Sequence, residues 1–111
     1  MTAIYPALDG AIVIDFDPDG PFGPLTADIS FSSVDQTLTF TVTKGSLEGK
    51  IETLPFQATE VTDGIWMVTW QEVDLLSVVH VQDFNTGKLL SAVTTADQHF
   101  VFMSGTVSLV K

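Results

Sequence analysis

The stretch from Thr62 to Gly87 reads TDGIWMVTWQEVDLLSVVHVQDFNTG, and the fold depends on how it is read. β-Branched and aromatic residues fill the run from Ile65 to Glu72, and Asp63-Gly64 supplies a turn ahead of it, which predicts a strand. Side chains alternate across a strand, so Trp66, Val68, Trp70 and Glu72 share one face. A carboxylate beside two indoles and a valine calls for a partner, a ligand or an open end of the sheet nearby. A second strand is predicted from Ser77 to Phe84, with His80 in its middle. An odd-length turn that sets Glu72 opposite Leu76 puts His80 on the tryptophan face. A two-residue turn puts Val79 and Val81 there instead. Apolar residues flank His80 on both sides, and periodicity leaves both registers open.

Working outward, short extended runs alternate with turn signals. The run from Ala11 to Phe16 (AIVIDF) is β-branched, and Asp17 to Pro24 (DPDGPFGP) is a loop no central strand could cross. In LTADISFS, Leu25, Ala27, Ile29 and Phe31 fall on one face. From Thr37 to Thr43, Leu38, Phe40 and Val42 oppose threonines. Lys50 to Thr59 is a further run, in which Pro55 predicts an edge, a bulge or a strand end. Asn85-Thr86-Gly87 marks a hairpin turn. Lys88 to Thr95 and His99 to Val110 follow as strands, with Gly105 predicting a bulge or a close backbone approach. Met1 to Asp9 reads as an irregular lead-in. No segment carries a capped 3.6-residue apolar period, so no helix is expected. The pattern predicts an all-β fold: an up-and-down antiparallel β-barrel of about eight strands, as a single domain over residues 1–111.

The chain has 111 residues, a hydrophobic share of 45% and 14 acidic against 4 basic residues, a formal net charge of −10. That charge repels phosphate backbones and anionic lipid, which argues against nucleic acid and membrane partners. No cysteine is present, so disulfides and thiolate metal sites are excluded. The amino-terminal residues show no basic stretch followed by an apolar core, and no run approaches the roughly 20 apolar residues of a membrane helix. Cytoplasmic residence is the expectation.

Gly64 to Glu72 (GIWMVTWQE), then His80, Asp83, Phe84 and Gly87 in HVQDFNTG, then Phe100 to Thr106 (FVFMSGT), resemble the small calycin-like, lipocalin-like barrels of the MoaF-like family. The resemblance is close over the C-terminal half and lies mainly in layout over the N-terminal half. It implies the barrel, and by analogy a homodimer. The Val68-Thr69-Trp70-Gln71-Glu72 segment is also similar to that of the phenolic acid decarboxylases, lyases of the same barrel type. There a glutamate in the cavity works with tyrosines and an arginine. Glu72 matches the glutamate. Gly49 or Lys50 falls at the arginine, and Ile14-Asp15-Phe16 falls where the tyrosines stand, with no ring hydroxyl.

The expected site therefore centres on Glu72, whose pKa desolvation between Trp66 and Trp70 would raise toward acid/base work. His80 is the second catalytic candidate and Lys50 a source of charge. Trp66, Trp70, Phe40, Phe84, Phe100 and Phe102 are expected inside, as core or as cavity lining, where aromatics favour a small apolar or aromatic molecule. Lys50, Trp66, Trp70, Phe40, Phe84 and Phe102 are the ligand-binding candidates. Any reaction would be that of a cofactor-free lyase, isomerase or cyclase, and whether one occurs is left open. The rival reading is a filled barrel that serves as a structural or interaction module. His99, beside Asp97, reads as a surface turn. Asp15-Phe16-Asp17-Pro18-Asp19-Gly20 looks like the start of a calcium loop but lacks its later glutamate and flanking helices, and reads as an acidic turn. Two histidines without short spacing give no basis for a zinc site; no metal and no cofactor is expected.

Overall fold

The computed structural model describes residues 3–110. Eight strands run β1 (Ala11–Phe16), β2 (Leu25–Ser32), β3 (Thr37–Lys44), β4 (Ile51–Thr62), β5 (Ile65–Gln71), β6 (Ser77–Asp83), β7 (Lys88–Thr94) and β8 (Phe100–Val110). Each pairs antiparallel with the next, and β8 returns to pair with β1, so the sheet is a closed barrel in chain order. The predicted all-β, up-and-down barrel is the fold. Among the described residues no helix is long and apolar enough to cross a membrane.

The turn between β5 and β6 settles the open register. Glu72 N–H donates to the Leu76 carbonyl at 2.8 Å, and Leu75 N–H to the Glu72 carbonyl at 2.9 Å. Leu75 adopts a left-handed φ of 67° to close this odd-length loop. Trp66 then pairs with Gln82, Val68 with His80 and Trp70 with Val78. Because the side-chain period is two, His80 and Gln82 turn inward with the tryptophans. Both are buried.

Pro55 lies inside β4 rather than at its end, where the strand is paired on one side only. It is the last residue of β4 to pair with β3, and pairing with β5 begins at Phe56. The strand changes partners there, so the missing N–H interrupts neither ladder. Gly105 marks a close approach. A Cβ there would lie 2.2 Å from the Asp15 carbonyl oxygen and 2.8 Å from Phe16 Cα, where β8 closes on β1.

The two ends of the barrel differ. The lead-in, from Ala3 onward in the described residues, is ordered against one end: Tyr5 and Ala7 are buried, and Leu8 bridges to Phe31. The Tyr5 ring packs edge-on against Phe31, Trp66 and Phe84, with centroids 5.0, 5.4 and 5.9 Å away. Such aromatic pairs add roughly 0.5–1.5 kcal/mol each beyond the area they bury. The other end stays open between the β1–β2, β3–β4, β5–β6 and β7–β8 loops.

The phenylalanines of β8 correct the expected lining. Ser91 pairs with Met103 and Val93 with Val101, so β8 turns Val101, Met103 and Val107 inward. Phe100 and Phe102 face outward, 71% and 56% exposed. In β8 the apolar run has no polar alternation, and bulk alone selected the wrong parity. Replacing Gly105 by Ala is expected to lower stability by about 2–3 kcal/mol, since backbone rather than a flexible side chain occupies the space. Urea unfolding checks this, and a variant as stable as the parent would contradict the reading of the β1–β8 seam.

Candidate functional site

A cavity of about 310 Å³ opens from the loop end into the barrel. Apolar side chains from nearly every strand line it, among them Phe16, Phe40, Val42, Trp70 and Val93. Lys50, Glu72 and Asp74 stand at its mouth, and His80 and Ser91 are its deep polar residues. Of the sequence candidates, Glu72, His80, Lys50, Trp70 and Phe40 therefore meet around one space. Trp66 and Phe84 do not reach it, because they pack with Tyr5 at the closed end. Phe102 is on the outer wall.

At the mouth, the Lys50 ammonium sits among three carboxylates: Glu52 at 3.2 Å, Glu72 at 3.3 Å and Asp74 at 3.5 Å. Trp70 Nε1–H donates to the other Glu72 oxygen at 3.2 Å. The Val73 N–H anchors Glu52 at 3.0 Å. Burial pushes the Glu72 carboxyl above the ordinary range, against the opposing pull of the Trp70 bond and the Lys50 charge. Desolvation works against the Lys50 ammonium, but bonds and charge from Glu52, Glu72 and Asp74 hold its pKa above the usual lysine value. The three carboxylates converge closely enough to hold a cation. Lys50 Nζ already lies among them and supplies positive charge from the chain itself.

Deeper in, a buried hydrogen-bond chain runs from the closed end toward the cavity. The Tyr5 hydroxyl donates to Gln82 Oε1 at 2.5 Å, and Gln82 Nε2 lies 3.2 Å from His80 Nδ1. The His80 ring stacks edge-on to Trp70 with centroids 4.6 Å apart. Burial lowers the His80 pKa from 6.5 to about 3, so the ring is neutral. Ser91, opposite His80 on β7, is buried, and its Oγ has no hydrogen-bond partner among the described residues.

Sequence reading missed Tyr5, Gln82 and Ser91. Gln82 and Ser91 follow once the register is known, since Gln82 is two residues from His80 and Ser91 is its cross-strand partner. Tyr5 carried no periodic signal. His99 is on the surface, 2.9 Å from Asp97. Asp17 caps its own turn through the Asp19 N–H at 3.1 Å. Where the decarboxylase resemblance expects tyrosines, Ile14 and Phe16 line the cavity.

A closed antiparallel barrel with one plugged end and one open, charged mouth defines a small cavity-bearing barrel of the calycin type. The chain belongs to the MoaF-like family, whose sequence profile matches residues 19–108. A crystal structure from Burkholderia vietnamiensis, described as a candidate beta-lactamase, is similar with a TM-score of 0.85 and 23% identity, covering 98% of this chain and 100% of that one. That likeness is one of fold. No curated protein matches the sequence.

The neutral, buried His80 has a consequence for pH. The unfolded ring takes a proton near pH 6.5 and the folded ring only near 3, so its contribution to stability is complete above 6.5 and is lost as pH falls toward 3. Between pH 7 and pH 5 the parent is expected to lose about 2 kcal/mol more than a His80→Gln variant. Chemical denaturation at the two pH values measures this; equal losses would show a ring that titrates freely.

Proposed function

We propose that this barrel binds a small, largely apolar molecule in its cavity, with Glu72 placed at the mouth for acid/base chemistry on the bound molecule. The observation that carries the reading is the 310 Å³ space, lined by apolar side chains in a barrel whose other end is packed with aromatics. A filled barrel would have used that space for side chains. The rim sets one ammonium against three carboxylates, which favours neutral or cationic molecules over carboxylic acids. Desolvation of Glu72 supports a proton-transfer role there, because a raised carboxyl pKa lies closer to working pH.

The neutral dye N-phenyl-1-naphthylamine tests the cavity. One molecule per chain is expected to bind with a rise in emission. Val93→Phe, which adds bulk to the lining, is expected to weaken binding by about tenfold or more. Glu72→Gln should keep dye affinity and abolish turnover of any substrate later found. Failure of the parent to bind the dye, or undiminished binding by Val93→Phe, would count against the cavity.

A second reading, homodimerisation, rests on the outer wall. Met67, Val81 and Leu90 form one cross-strand row over β5–β7, and Val79, Ala92 and Phe102 form another over β6–β8. These rows are apolar and carry no charge on a chain of net −10, so a second copy meets no like charge within them. Light scattering is expected to give twice the chain mass for the parent and the single mass for Phe102→Glu. A parent that stays monomeric at high micromolar concentration rules this interface out.

A further inference from the structure

The floor of the cavity holds two hydrogen-bond donors with no acceptor. His80 and Ser91 are cross-strand neighbours on the inner face of β6 and β7, and both line the cavity. The next inward residues of these strands, Gln82 and Leu89, do not line it, so this pair is where the space ends.

The proton on His80 is placed by the chain behind it. Tyr5 O–H is buried, and its one acceptor among the described residues is Gln82 Oε1. A desolvated hydroxyl must donate, which fixes the amide so that Gln82 Nε2 points its N–H toward His80 Nδ1. Turning the amide over would leave the phenol proton without an acceptor, at the cost of an unmade buried bond. Nδ1 is therefore the acceptor, and the neutral ring carries its proton on Nε2. No group among the described residues bonds Nε2. Ser91 is 1% exposed, and its buried hydroxyl is likewise unpartnered.

We propose that His80 Nε2–H and Ser91 Oγ–H form a two-donor seat for a neutral acceptor oxygen, so that the cavity takes an apolar molecule bearing a carbonyl group at its leading end. This rests on the cavity reading and adds the ligand's polar chemistry and its orientation. A carboxylate is a poor occupant, since neither donor carries charge and the acidic rim opposes its entry. With its proton on Nε2, His80 does not act as a base toward Ser91. The pair positions a ligand and does not make a nucleophile.

The test compares 2-acetylnaphthalene with 2-ethylnaphthalene, which share a skeleton and differ in the oxygen, by quenching of tryptophan emission. Ser91→Ala is expected to weaken the ketone about fivefold and to leave the hydrocarbon within about twofold of the parent. Imidazole nitrogen NMR of the unliganded parent is expected to show His80 protonated on Nε2. Tyr5→Phe should release that preference and weaken the ketone selectively. If Ser91→Ala affects both probes equally or neither, or if the parent ring carries its proton on Nδ1, the donor seat is wrong while hydrocarbon binding leaves the cavity reading standing. If neither probe binds the parent, both readings fall together.

Discussion

The parity of β5 against β6 governs most of what this barrel can do. Five residues from Glu72 to Leu76 join the strands, and the left-handed Leu75 is the conformational cost of that length. A turn one residue shorter or longer would send His80 and Gln82 to the solvent side and bring Val79 and Val81 in. The interior would then be more apolar, with no imidazole beside Trp70 and no acceptor for the Tyr5 hydroxyl. Burying a histidine and a glutamine in a small barrel costs free energy unless each polar atom finds a partner. The Tyr5–Gln82–His80 chain meets most of that requirement.

The ends of the barrel divide the labour. At the closed end Tyr5, Phe31, Phe56, Trp66 and Phe84 pack edge to face and fill the interior. This aromatic plug lets the other half of the interior stay hollow. An eight-stranded barrel has room for a small ligand only if some inward positions are given up by the core. Ala27 and Ser91 are such positions, since both are inward and short.

The fold was legible because its evidence is local and repeated. Alternation in the runs beginning at Leu25 and Thr37, and turn residues at 17–24 and 85–87, each predict the same hairpin architecture. The site was legible in part. Glu72, Trp70, Phe40 and Lys50 were visible as types and do meet: Phe40 and Trp70 because alternation fixes the parity of β3 and β5, Lys50 and Glu72 because they stand just outside β4 and β5 at the open end. Phe102 failed because HFVFMSGTVSLV is apolar on both faces at its start, and pairing with β7 rather than side-chain bulk chose Val101 and Met103 for the interior. Tyr5 failed because its burial depends on a tertiary contact across 77 residues, to Gln82. Ser91 failed because a serine in a strand looks like a solvent-facing residue until the register says otherwise.

Floor and rim together constrain any chemistry more than either does alone. His80 and Ser91 lie at the depth of the cavity, and Glu72 lies at its mouth, on the far side of the Trp70 indole. A molecule seated by an acceptor oxygen at the floor would present its opposite end to Glu72. A proton moved by Glu72 therefore belongs to a carbon or heteroatom remote from the seated oxygen, unless the two are joined through a conjugated system. In that case the donors at the floor would stabilise the charge that deprotonation at the mouth sends through the molecule. Conjugation between the two ends, more than size or hydrophobicity, is thus the property that would separate a substrate from a ligand that merely fits.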